Sequence, residues 1–148
     1  MQLTRYTDYS LRVLAYLSLK NDCAVTISEI ANYYDISRNH LVKVVHHLAS
    51  TGFINTTRGK GGGIRLAHKP ESICIGDVVR QTEPNFDIVE CFNHTNQPCV
   101  IEPLCALKMS LHEASQSFLA VLDKYTLADA VKNNSPVMQS VTFSDNQR

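Results

Sequence analysis

Cys91, Cys99 and Cys105 bring three thiols into one short stretch of a 148-residue chain. Thiolates are the soft donors that hold zinc and iron–sulfur centres. Seven residues separate the first pair and five the second, spacings too wide for the Cys-x-x-Cys knuckle of a zinc ribbon. Three thiolates leave a fourth position to be filled from elsewhere. His94 lies between the first two cysteines and would complete a Cys3His zinc site. A cluster held near a subunit interface is the second chemistry this set allows, and three idle thiols the third. Cys23 and Cys74 stand apart and are expected to be structural.

Five cysteines, an odd number, read as reduced thiols or ligands rather than a disulfide framework. The sequence has no apolar run of membrane-spanning length and no charged, apolar, small-residue leader; no membrane partner and a cytoplasmic location are expected. The net charge of zero conceals a polarity. Residues 1–70 carry nine Lys/Arg against four Asp/Glu, a balance of +5, and residues 71–148 five against ten, a balance of −5. A basic half joined to an acidic half fits a nucleic-acid reader attached to a regulatory part.

The elements that must position these groups follow from periodicity. From Thr26, TISEIANYYDISRNHLVKVVHHLASTG reads as two helices joined by a short turn. Thr26 with Glu29 forms a capping-box pattern, and Ile27, Ile30, Ala31 and Tyr34 share one helical face. Asp35-Ile36 makes the turn and Ser37 caps the next helix. There Leu41, Val44, Val45 and Leu48 form the buried stripe, leaving Arg38, Asn39, His40, Lys43, His46 and His47 outside it. This is the division of labour of a helix-turn-helix, whose second helix meets base edges in the major groove. Residues 53–58 and 63–68 are expected strands, and RGKGGG between them is a hairpin tip carrying Arg58 and Lys60, with Arg65 beyond it. A helix-turn-helix followed by a basic hairpin is a winged helix. Arg38, Asn39 and His40, with Ser37, are the expected base readers; Lys43, Arg58, Lys60 and Arg65 supply phosphate contacts. His46 and His47 are expected at the surface. The glycines match no nucleotide-binding loop.

After Cys105, the apolar residues Leu107, Leu111, Ala114, Phe118, Val121 and Tyr125 step by four and three alternately, a heptad seam that calls for a partner helix and hence a homodimer. Thr126 and Asp129 form another capping pattern, opening a short helix that ends near Val131. The expected architecture is mainly α with a small β-hairpin wing: a winged helix-turn-helix over 1–82, a cysteine-bearing loop over 83–106, a dimerisation helix and short helix over 107–132, and a tail over 133–148.

Several segments together, MQLTRYTDYSLRVLAYL, ISRNHLVKVVHHL, RGKGGGIRL, IGDVVRQTEP, the three cysteines, CALK and LDKYTLADAV, resemble in the same order the iron–sulfur winged-helix regulators, and among them the nitric-oxide-sensing repressors. The resemblance covers residues 1–131. It implies a homodimer on operator DNA whose Cys91, Cys99 and Cys105 hold an iron–sulfur cluster, four-iron in preference to two-iron, with nitric oxide as the signal. One branch of that family places a His three residues after the last cysteine, where this chain has Lys108. Another uses an N-terminal Asp from the partner subunit, and Asp8 stands at the matching place, with Arg12 one turn later to orient it. The gap between Cys91 and Cys99 is longer than the five residues usual in such regulators. Two other functions fit the same parts: a regulator of the same fold that senses iron or cluster status, and an iron–sulfur redox protein. The absence of an acid, base and nucleophile constellation argues against an enzyme.

Overall fold

In the computed structural model of the protein, the structure describes residues 2–20, 23–59, 61–93, 99, 101 and 105–132. Helix α1 (Arg5–Leu19) is the axle of the fold. Thr4 caps it, its side chain accepting from the Thr7 amide, and α1 packs against α3 (Arg38–Ser50), α4 (Ile75–Thr82) and α6 (Leu127–Val131). Val13, Leu14, Ile30, Leu41, Leu48 and Val78 are fully buried around it. The helix-turn-helix forms as the periodicity predicts. Helix α2 (Ile27–Tyr34) ends at Asp35, which takes the left-handed conformation at φ 51°, tolerable for a short polar residue. That reversal sends the chain through buried Ile36 into α3.

The wing is shorter than expected. Strands β1 (Ile54–Thr57) and β2 (Gly63–Leu66) pair antiparallel with Ile54 opposite Leu66 and Thr57 opposite Gly63. At the tip, Gly59 and Gly61 adopt φ values of 97° and 81°, a region closed to most side chains; Lys60 lies outside the described residues. Val25, just before α2, bridges to Ile64 on β2, so the wing is anchored to the helix-turn-helix it flanks.

Helix α5 (Ala106–Leu122) leaves the reading head, and its far end is tied back to it. The Ile75 amide donates to the Tyr125 carbonyl at 2.9 Å and the Leu127 amide to the Ile73 carbonyl at 2.8 Å. Beside this bridge, Arg80 grips Asp123 with two hydrogen bonds of 2.6 and 2.7 Å. The guanidinium holds the Asp123 carboxyl below the usual carboxylate range. That tie is present at neutral pH and is lost as pH falls through the lowered value. Asp123 sits over Gly76, where an added Cβ would overlap Asp123 Oδ1. Gly76→Ala gains helix propensity but must push aside the exposed Asp123–Arg80 pair, a surface ion pair of small worth, so the two effects are expected to offset to within about 1 kcal/mol, measured as a urea midpoint close to wild type at unchanged slope.

Helix α6 opens on the reciprocal capping box expected of Thr126 and Asp129. At Thr26 only half of such a box forms. The Thr26 side chain accepts from the Glu29 amide, but the Glu29 carboxylate accepts from the Tyr16 hydroxyl at 2.9 Å and pairs with Lys20 at 3.1 Å. A tertiary tie from α2 to α1 replaces the local cap.

Candidate nucleic-acid interface and thiol site

Helix α3 exposes the residues expected to read DNA. Its buried stripe is Leu41, Val44, Val45 and Leu48, which turns Arg38, Asn39, His40 and Lys43 to solvent. Ser37 occupies the cap position but makes no side-chain capping bond, so its exposed hydroxyl is not committed to the helix. Arg58, at the end of β1, is exposed, and Arg65 on β2 is half-exposed opposite Asn55. A helix with an open polar face beside a hairpin bearing arginines is built to approach a polyanion.

The reading helix is braced from behind. The Tyr6 hydroxyl donates to the Lys43 carbonyl at 3.3 Å, and the Tyr9 ring lies 6.3 Å from that of His40. His47, expected at the surface, is half-buried. Its ring meets Tyr6 edge-on at 5.7 Å, and its Nε2 donates to the Gln81 carbonyl of α4 at 2.8 Å. The periodicity that marks the buried stripe of α3 carries no signal for these contacts, because they join side chains to distant backbone.

Asp8 lies in the first turn of α1, where an acid also favours the helix N-terminus. Arg12 holds it from two sides, Nε to Oδ1 at 3.1 Å and Nη2 to Oδ2 at 2.9 Å. The same guanidinium lies 5.7 Å over the Tyr34 ring at the end of α2, a cation–π contact. Burial pushes the Tyr34 phenol up to about 12, so it stays neutral in ordinary buffers. Arg12 thereby joins Asp8 to the helix-turn-helix. At the head of α1, the Thr4 amide donates to Glu83 Oε1 at 2.7 Å and the Thr4 hydroxyl to the same oxygen at 3.1 Å. Glu83, which the sequence did not single out, is the root of the cysteine segment.

That segment includes one turn of 3-10 helix, Glu90–Phe92, which places Cys91 half-buried. Phe92 packs edge-on against His112 of α5 at 5.9 Å. Cys105 caps α5: its Sγ accepts from the Lys108 amide at 3.4 Å. Cys99 is exposed, and none of the five cysteines is in a disulfide. His94 lies outside the described residues. Cys23, expected to be structural, is exposed. Cys74 is half-buried and its thiol faces the Asp123 carbonyl and carboxylate at 3.8 and 3.9 Å. Among the described residues, Cys74, Asp77 and Asp123 are the only group close enough together for one metal ion. The Arg80 guanidinium already neutralises that group, contacting both carboxylates.

The heptad seam of α5 divides between two surroundings. Phe118 turns inward with Leu119 and Leu122 to the core of the chain. Leu107, Val121 and, past the helix end, Tyr125 remain 66, 49 and 52 % exposed, with Ala114 also exposed. Among the described residues no helix is long and apolar enough to cross a membrane.

Reading helix, basic hairpin and an added long helix define the winged-helix transcriptional regulators. The chain belongs to the Rrf2 family, described as an iron-dependent transcriptional regulator, which it matches over residues 3–133. It is 54 % identical over 146 residues to the HTH-type transcriptional regulator NsrR of Bacillus subtilis strain 168, covering 98 % of this chain and 100 % of that one. Its identity to the NsrR of Halalkalibacterium halodurans is 52 % over 134 residues, 90 % of this chain and 92 % of that one. The fold is similar to that of CymR, the global cysteine regulator of B. subtilis, at a TM-score of 0.73 and 24 % identity, covering 90 and 98 % of the two chains. T. potens IscR is similar at a TM-score of 0.73 and 22 % identity, covering 93 and 90 %. The chain is thus a transcriptional regulator and not an enzyme.

Proposed function

We propose that the chain is a homodimeric cytoplasmic repressor that binds double-stranded operator DNA through α3 and the wing and responds to nitric oxide. In this reading Cys91, Cys99 and Cys105, with Asp8 of the partner subunit, hold an iron–sulfur cluster, four-iron in preference to two-iron. Arg38, Asn39, His40 and Ser37 read bases, and Lys43, Arg58, Lys60 and Arg65 meet phosphates.

The observation that carries this reading is the contiguity of the cysteine segment with the reading helix. Glu83 roots the segment and binds Thr4 at the head of α1; α1 carries Asp8, and its Tyr6 and Tyr9 lie against α3. A change in where residues 83–106 sit is transmitted through a single helix to the DNA-reading surface. The donor set fits a cluster. The thiols are not consumed in disulfides, and the amide of Lys108 already aims at Cys105 Sγ, the kind of hydrogen bond that tunes cluster thiolates.

When bound, the cluster supplies iron sites at which nitric oxide reacts. The protein's part is to make one of those sites exchangeable, since a carboxylate oxygen is a harder donor than the three thiolates. Arg12 orients the Asp8 carboxylate, and because α1 is packed into its own reading head, an engaged Asp8 would tie that whole head to the partner's cysteine segment. Release would let the two heads shift against each other, and a difference of a few kcal/mol between the two dimer states is enough to change operator occupancy decisively.

Asp8→Ala is expected to shorten the cluster's lifetime in air and weaken its coupling to DNA binding, read by visible absorbance and by operator titration before and after nitric oxide. Unchanged cluster stability, response and affinity would remove the bridging ligand from the account. The family's iron-dependent description favours one further reading, sensing of iron or cluster supply. DNA binding that follows iron supply and ignores nitric oxide would select it.

A further inference from the structure

Six large apolar residues are substantially exposed among the described residues: Val42, Ile101, Leu107, Met109, Val121 and Tyr125. Five of them lie between 101 and 125, on the cysteine segment and on or just past α5, and three of these, Leu107, Val121 and Tyr125, belong to the seam proposed above to meet a partner subunit. Val42 does not belong with these. It is 40 % exposed in the middle of α3, on the side away from the buried stripe. One turn before it stands Arg38, one turn after it His46, and beside it Asn39 and Lys43, all exposed. Spacings of three and four residues place these side chains next to one another on the helix surface. Val42 is therefore an apolar island inside the surface that faces DNA.

Nothing within the helix selects valine there. A β-branched residue at an exposed helix position loses rotamer freedom and is a poorer helix former than Lys, Arg, Gln or Ala. Side chains that only decorate a phosphate-facing surface are polar. The major groove displays one apolar group, the C5-methyl of thymine, and apolar side chains are its partners.

We propose that Val42 is a specificity-determining residue that reads a thymine methyl in each operator half-site. The inference rests on the proposal that α3 reads DNA, and adds to it a base identity at one position. Arg38 and Asn39 select by hydrogen bonds to base edges, and Val42 covers the methyl of a neighbouring base pair and excludes water from it. Loss of one buried methyl is worth about fourfold in affinity, from roughly 0.8 kcal/mol per buried CH2 and about 1.4 kcal/mol per decade.

The test begins with selection of duplexes from a random library by the wild-type protein purified without air. Each thymine of the selected half-site is then replaced in turn by deoxyuridine, which removes only the methyl. Wild type is expected to lose about fourfold per half-site at one thymine, and Val42→Ala, whose shorter side chain covers the methyl only in part, to lose clearly less at that same position. Val42→Asn is expected to shift the selected base there toward adenine, the partner of an amide side chain. Both variants sit at a solvent-facing position and should melt with wild type. Uracil penalties that are identical in wild type and Val42→Ala would overturn the assignment of Val42 while leaving α3 as the reader. Failure of wild type to enrich any sequence would overturn the DNA-reading proposal itself, and this one with it.

Discussion

Cys105→Ser is expected to yield a folded protein with helix α5 intact that retains almost no iron or sulfide. The position has an observed role and a proposed one, which serine separates. As the cap of α5, Cys105 accepts the Lys108 amide through its Sγ, and serine, a strong cap residue, can accept the same amide. As a thiolate donor it has no equivalent in a hydroxyl, which is protonated at neutral pH and too hard to suit a cluster iron. Losing an outer partner of a metal ligand typically costs about 10–100-fold in metal affinity; losing the ligand should cost more. Circular dichroism and melting temperature should match wild type, iron and sulfide should fall near background, and operator binding should no longer respond to nitric oxide. Cys105→Ala should lose the cap as well and melt lower. Cys74→Ser provides a control outside the ligand set and should keep its iron. A Cys105→Ser protein that still carried a full complement of iron and sulfide would exclude Cys105 as a ligand.

Leu111→Glu is expected to convert the proposed dimer to monomer with the fold of the chain preserved. Leu111 lies mid-helix on the seam, half-buried but outside the core of the chain, and leucine and glutamate have similar helix propensity. The change therefore acts on the partner contact. In a two-fold dimer each substitution acts twice. Removing two leucines from a buried seam costs roughly 3 kcal/mol or more, about two orders of magnitude in the dimer dissociation constant, before the desolvation of two carboxylates is added. Operator affinity should fall by a further factor of roughly 10^2–10^4, because the second half-site is no longer bound from the same molecule. Sedimentation would report the mass, and titration against full and half operators the affinity. A variant that remained dimeric with full operator affinity would place the subunit contact elsewhere.

The parts of the fold that were legible in the sequence are those set by local rules. The stripe of Leu41, Val44, Val45 and Leu48 fixes α3 and its outward face, Thr126 with Asp129 fixes the start of α6, and the glycines after Arg58 fix the wing tip. Local rules fail where a tertiary partner competes. Glu29 leaves its capping box for Tyr16 and Lys20, and His47 leaves the surface for Tyr6 and Gln81. The apolar spacing of α5 continues to Tyr125, but the helix ends at Leu122 so that the Tyr125 carbonyl can accept the Ile75 amide. The same limit holds at the site. Three cysteines and Asp8 with Arg12 are visible as residue types at telling positions. The link that joins them to the reading helix, Glu83 to Thr4, spans 79 residues and leaves no periodic trace.

Operator binding is proposed to depend on a cluster held by Cys91, Cys99 and Cys105. The most direct test is operator titration with protein purified without air, with iron and sulfide quantified, before and after stoichiometric nitric oxide. Binding should be tight in proportion to cluster content and should be lost as nitric oxide consumes the cluster. Equal binding by cluster-loaded, cluster-free and nitric-oxide-treated protein would contradict it.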